Sequence, residues 1–221
     1  MSSVTSDATQ QDRSVRLVGR PRDARVDRAI IEATLRLIAE RGVHEFRTED
    51  VASRAGVGKG AIYRRYPSKD ELVTAAVAAL VDEEIVVPDT GSTRADLLAL
   101  MREAVELYRG SLPGRLMPKL VSAMAQRPEL ARTFRDGFLA NRRTALSDVL
   151  RRGIERGDLR PDLDLELALD VLGGPLFYRL LITGGPIDEQ LAENVTELML
   201  RGFASRKSAR ADSKRENKRA R

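Results

Sequence analysis

Between Val51 and Tyr66 the chain gathers Lys59, Tyr63, Arg64, Arg65 and Tyr66 and contains no carboxylate. Ammonium, guanidinium and phenol groups held together without an opposing acid are built to meet a polyanion. Lys and Arg can pair with phosphates or read guanine O6 and N7, and phenols can donate to phosphate oxygens. That chemistry is recognition, not bond-making.

The rest of the composition points the same way. Cysteine is absent and His44 is the single histidine, which removes disulfides, thiolate or His-rich zinc sites, cysteine nucleophiles and most His relays. No catalytic residue, metal or cofactor is expected. Gly56-Val57-Gly58-Lys59-Gly60-Ala61 mimics a nucleotide-binding fingerprint, but no strand pattern precedes it, so it reads as a turn between helices. His44 falls in a connection and reads as structural or exposed.

The elements that must position these groups follow from periodicity. Val26, Ala29, Ile30, Ala33 and Leu37 form a helical stripe ending at Gly42. Thr48 reads as the N-cap of a second helix, with Glu49 and Asp50 in its first turn and Gly56 as its stop. Lys59 to Tyr66 reads as a third helix, ended by Pro67. Lys59, Arg64 and Arg65 then face outward while Ala55, Val57 and Ile62 pack inward, and Gly58 and Gly60 let the helix start approach a backbone closely. Ser68-Lys69-Asp70-Glu71 is a capping box that opens a helix through about Glu84.

Beyond a Pro- and Gly-bearing connection at 86–92, helical stripes continue at Leu97–Tyr108 and Leu116–Met124. A long helix then carries Phe134, Phe138 and Ile154, and two more helices cover about 164–183 and 187–204, joined by Gly184-Gly185-Pro186. No strand period occurs, so the fold class is all-α. The segment from Leu165 to Ile182 approaches membrane-spanning length, yet Glu166, Asp170, Arg179 and the Gly173-Gly174-Pro175 break make it a helix buried in protein.

Charge is partitioned. Residues 1–66 carry 13 basic and 9 acidic side chains, residues 67–204 carry 17 and 22, and residues 205–221 carry 8 and 2. Cationic ends on an acidic middle are the footprint of a DNA-binding head on a body that does not touch DNA.

The stretch from Ile30 to Leu80, above all FRTEDVASRAGVGKGAIYRRYPSKDELV, resembles the DNA-binding domain of the tetracycline-repressor (TetR) family of bacterial transcription regulators. Gly42, Thr48, Val51-Ala52, Ala55-Gly56-Val57, Lys59-Gly60, Ile62-Tyr63 and Pro67-Ser68-Lys69 with Leu72 fall at the family's spacing. The resemblance implies a helix-turn-helix on double-stranded DNA, with Tyr63 and Lys69 on phosphates and Thr48 near one. Lys59, Gly60, Arg64 and Arg65 would face the groove, with Tyr66 in the same cationic face. Ala61, Arg64 and Arg65 depart from the residues common at those positions, so base preference is not carried over.

The domains expected are a disordered basic arm at 1–21, the DNA-binding domain at 22–84, a ligand-binding and dimerisation domain at 85–204, and a disordered basic tail at 205–221. In the arm, Gly19-Arg20-Pro21-Arg22 resembles the core of AT-hook peptides, which places Arg20 and Arg22 at a minor groove or in a plain linker. In the body, Met101, Tyr108, Met117, Met124, Phe134, Phe138 and Phe177 could line a pocket for an unknown small-molecule effector or be ordinary core. Arg142, Arg143 and Arg179 could pair with an anionic ligand or with nearby Asp and Glu, and the second reading is preferred. A homodimer interface is expected at Leu172, Gly173, Leu176, Leu180, Leu191, Val195 and Leu198, because one short helix reads too few base pairs alone.

With no apolar leader and no membrane span expected, the reading is a cytoplasmic, nucleoid-associated, ligand-released repressor on a palindromic operator. The alternative is an architectural DNA-binding protein without a ligand; a helical enzyme is disfavoured.

Overall fold

The computed structural model describes residues 24–80 and 85–204. The proposed arm and tail lie outside the described residues, and Arg20 and Arg22 with them.

α1 (Ala24–Arg41) turns Ile30, Ala33, Thr34, Leu37 and Ile38 inward, a spacing of three and four residues that makes one apolar face. It ends where Gly42 takes φ +89° and donates its amide to the Ile38 carbonyl at 2.8 Å. α2 (Thr48–Ala55) starts differently from the sequence expectation. Arg47 holds the N-cap position, and its amide donates to Asp50 Oδ2 at 2.7 Å. Thr48 is the first helical residue and is buried, because its short side chain faces the core while Asp50 supplies the capping oxygen. Gly56 at φ +66° closes the helix.

α3 is shorter than expected, Lys59–Tyr63. Arg65 and Tyr66 follow as a turn whose amides both donate to the Ile62 carbonyl, at 2.9 and 2.8 Å, which shapes the chain for Pro67. α4 (Lys69–Ala78) has the expected cap: Ser68 Oγ accepts from the Glu71 amide at 3.1 Å.

The body contains α5 (Thr93–Tyr108), α6 (Leu112–Met124) and α7 (Pro128–Thr133). α7 runs through a π-helical turn at Phe134–Leu139 into α8 (Ala140–Glu155). The expected single long helix is therefore two segments with a π turn between them. α9 (Leu165–Tyr178) ends in a second π turn, Arg179–Thr183, and Gly184 at φ +64° leads to α10 (Glu189–Phe203). Among the described residues the only β feature is an isolated bridge between Leu159 and Ala204, so the all-α expectation holds.

α1 packs along α6, α4 against α7, and α5 against both α8 and α10. Gly153 is required at the α5–α8 crossing, since a β-carbon there would lie 2.8 Å from Thr93 Oγ1. Buried Asp96 anchors the connection into α5, accepting from Thr90 N and Oγ1 at 2.9 and 2.7 Å. Arg152 Nη2 holds the Pro88 carbonyl at 2.5 Å. One apolar core runs through α1–α10, so the head rests on the body through packed side chains.

Leu172, Leu176, Leu191 and Val195, expected at a subunit interface, are buried inside the chain. Gly173 and Leu180 are half-buried, and only Leu198 of that set is well exposed, at 71%. The helical face those residues mark turns toward the rest of the chain.

Candidate nucleic-acid interface

The end of the head formed by α2 and α3 presents Ser53, Gly56, Gly58, Lys59, Gly60, Tyr63 and Arg64 to solvent, while Ile62 anchors α3 with no exposure. Nothing lies within 4 Å of a β-carbon built on Gly58, and one built on Gly60 meets only Arg64 Nη1, at 3.3 Å. The two glycines therefore leave open ground on the outer face; neither permits a close backbone approach within the protein. Ala61 is half-buried between them and Ile62.

Folding brings one acid to this surface. Glu49, near the start of α2, pairs with Lys59 at the start of α3, and both side chains are about half exposed. The contact holds the Glu49 carboxyl below its usual range and the Lys59 ammonium above its own. The Lys59 ammonium also lies 5.6 Å from the Tyr63 ring centroid. The acid-free stretch of sequence thus carries a carboxylate against Lys59, and Arg54, its first cation, pairs with Glu40 at 2.8 Å.

The remaining cations divide. Arg64 is exposed. Arg65 departs from the expected groove-facing orientation: its Nε pairs with Asp27 of α1 and its Nη1 donates to the Ala61 carbonyl at 3.0 Å, leaving the side chain 16% exposed. Tyr66 is half-buried and packs on the core. The Lys69 ammonium lies 4.3 Å from the Phe46 ring centroid and donates to the carbonyls of Phe46 (2.5 Å) and His44 (3.3 Å). Burial, then the Arg127 charge, holds Lys69 below the usual lysine range. In this geometry Arg65 and Lys69 brace the head.

In the body, a cavity of about 430 Å³ lies among α5, the first π turn, α8 and α9. Met101, Tyr108, Phe134 and Phe177 line it as anticipated, together with Leu100, Ala104, Leu139, Leu146, Leu169, Leu172 and Leu176. Met117, Met124 and Phe138 do not; Met117 and Phe138 are almost wholly buried in the core. Arg143 pairs with Glu166 at 2.5 Å and Asp170 at 2.7 Å, as expected. The Arg142 guanidinium lies 3.9 Å from the centroid of Phe138, and Arg179 donates to the Pro186 carbonyl rather than to an acid.

Residues 30–76 match the family model for bacterial regulatory proteins of the tetR family, and residues 87–199 match the tetracyclin repressor-like C-terminal domain. The HTH-type transcriptional regulator YdeS of Bacillus subtilis is 33% identical over 187 residues, covering 84% of this chain and 91% of that protein. The DNA-binding transcriptional repressor TetR of Mycobacteroides abscessus is 32% identical, covering 78% and 93%. The crystal structure of the TetR family transcription regulator SCO0332 is 31% identical and covers 81% of this chain and 98% of that one, with a TM-score of 0.62. The chain belongs to the TetR family.

As a TetR-family protein it is a DNA-binding transcriptional regulator with a helix-turn-helix head, and its relatives point to regulation rather than catalysis. Among the described residues no helix is long and apolar enough to cross a membrane. The TetR-type body also shows what sequence reasoning passed over. Leu167, Val171, Tyr178 and Ile182 stand exposed by 42–71% along one side of α9 and its π turn, and Leu198 does so on α10. Their spacing of four, seven and four residues was readable as a second stripe on a helix apolar almost all round. The cavity leucines carried no comparable signal, because leucine is the ordinary filling of any helical core.

Proposed function

We propose that this regulator is a repressor that occupies a palindromic operator as a homodimer and is released by a small molecule bound in the cavity. Residues 22–84 act as the reading head and 85–204 as the sensing and pairing body, in the cytoplasm on the nucleoid. Tyr63 serves as a phosphate anchor, and Lys59, Gly60 and Arg64 face the major groove. Arg65 and Lys69 act mainly by holding α3 and the α1–α2 connection in place.

One observation carries the reading: a single segment touches both the head and the cavity. Arg127 reaches Asp70 of the head at 3.0 Å, and the same segment continues through α7 into the π turn, whose Phe134 and Leu139 line the cavity. A ligand that fits one position of that turn better than another shifts the population of head separations by its differential affinity. π turns interrupt the regular helical ladder, which suits an element asked to shift.

Pairing is assigned to the exposed stripe of Leu167, Val171, Tyr178, Ile182 and Leu198. A five-residue α3 reads only a few base pairs, so a second copy is needed for useful specificity. Sedimentation of Val171→Glu with Tyr178→Glu should show monomer where the parent shows dimer; an unchanged dimer rejects the assigned face.

Selection of bound fragments from the source genome, followed by a screen for compounds that release them, tests the whole reading. A repressor of this kind prefers its own site over bulk DNA by about 10³-fold or more. Near-equal affinity for all duplexes would instead favour an architectural DNA-binding protein.

A further inference from the structure

The two acids in the first turn of α2 are used differently. Asp50 caps the helix by accepting from the Arg47 amide at 2.7 Å. Glu49 stands with Ser53, four residues on, on the exposed side of α2, and reaches across to Lys59 at the start of α3. Exposed pairs of this kind add little to stability, while a carboxylate on a surface that meets phosphates opposes binding to every duplex. An acid in that place gains a use when it discriminates between bases, since specificity rests on repelling wrong partners as well as attracting the right one.

Both side chains of the pair are about half exposed, and the glycines at 58 and 60 place no β-carbon on either side of Lys59. The Lys59 hydrogen bond keeps the Glu49 carboxyl below its usual range. The pair therefore faces outward as an ionised acceptor in contact with a cationic donor.

A donor beside an acceptor matches the major-groove edge of a G·C pair in one orientation. Guanine presents N7 and O6 as acceptors, and cytosine presents its N4 amino group as a donor at the other end. In A·T the N6 donor lies between two acceptors, N7 and O4, so a carboxylate placed on it meets both. In the reversed C·G pair the carboxylate would face guanine O6 and the ammonium would face the amino group, two repulsive contacts at once.

We propose that Glu49 is a base-selecting residue: with Lys59 it reads one G·C pair in each half-site, Lys59 donating to guanine O6 or N7 and Glu49 accepting from cytosine N4. The inference rests on reading Lys59 as groove-facing. It adds a residue of α2 to the recognition set and an order of preference, G·C first and C·G last.

The test uses the full chain and a randomised duplex library. Selection on the parent should return a half-site with one position fixed as G·C, and anisotropy titrations of the four versions of that position should place the reversed pair about tenfold or more weaker. Glu49→Ala and Lys59→Ala should flatten that same position of the selected site. N4-methylcytosine keeps Watson–Crick pairing but replaces the groove-facing amino hydrogen by a methyl group. At this position it should weaken the parent about tenfold and Glu49→Ala less than about twofold. Unchanged melting temperature certifies each variant; where one fails to fold, N4-methylcytosine at each selected G·C position decides on the parent alone. A parent indifferent to N4-methylcytosine at every such position overturns the proposal, even if Glu49→Ala flattens the site, because Glu49 then only positions Lys59. A Glu49→Ala site identical to the parent's, or different positions flattened by Glu49→Ala and Lys59→Ala, overturns it too. A parent that selects a defined site yet gives one of these results loses only this inference, whereas a parent that selects no sequence loses the repressor reading with it.

Discussion

The Arg127 guanidinium of the body lies 3.0 Å from the Asp70 carboxylate of the head. The same group reaches His44 Nε2 at 3.0 Å, so one side chain spans the start of α4 and the α1–α2 connection. Its side chain is only 18% exposed while Asp70 is 70% exposed, which makes the arginine the fixed partner.

If this contact transmits the state of the cavity, breaking it should separate sensing from reading. Arg127→Ala is expected to keep operator affinity within about threefold and reduce ligand-induced release by about tenfold, a coupling loss on the order of 1.4 kcal/mol. Fluorescence anisotropy with labelled operator, with and without ligand, measures both. Loss of operator binding together with a fallen melting temperature would make Arg127 a fold element only.

Glu49 stands beside the cation expected nearest the groove. Glu49→Gln removes a negative charge from the reading surface and frees Lys59, so affinity for any duplex should rise a few-fold and the salt dependence steepen by about one phosphate contact. Titrations at three salt concentrations provide the slope. A fall in affinity would mean that the Glu49–Lys59 pair orients α3 for reading.

Arg65→Ala deletes a half-buried pair with Asp27 and a bond to the Ala61 carbonyl. Charge-assisted bonds of this kind contribute about 1–3 kcal/mol, so the melting temperature should drop measurably, and Asp27→Asn should lower it by a smaller amount. Arg64→Ala, on an exposed side chain, should leave stability unaltered and relax preference at particular bases. Equal melting temperatures for parent and Arg65→Ala would return Arg65 to the groove.

Tyr108 supplies a pH signature. Its folded-state value near 12 lies above the ordinary 10, so the native chain holds a proton that the unfolded chain releases. The stability tied to the neutral phenol is fully present below pH 10 and is lost as pH climbs through about 12. Ultraviolet titration should show one late phenol among the four tyrosines, abolished in Tyr108→Phe. A titration complete well below that range would place Tyr108 in contact with water.

Much of this protein was legible locally. Caps and stops at Gly42, Gly56, Ser68 and Gly184 are decided by backbone conformation over three or four residues, and so the helical order followed from the sequence. Thr48 was misassigned as a cap because Asp50, two residues on, can bond the preceding amide equally well. Arg143 with Glu166 and Asp170 was anticipated from the Asp and Glu nearby; the partner of Arg179 was not, because a backbone carbonyl satisfies a guanidinium without leaving a trace in composition.

The sequence by itself determined the all-α class, the helix-turn-helix and the cationic, acid-free stretch, since these depend on side-chain type and short spacing. Only the tertiary structure decided which members of that stretch are free. Asp27 lies 38 positions from Arg65, and α1 must pack against α2 and α4 before the turn after α3 can bring the two together. The same holds for the cavity and for the outward stripe of α9: a helix apolar on every side has no intrinsic inside, and which face is buried is settled when α5, α8 and α10 close around it.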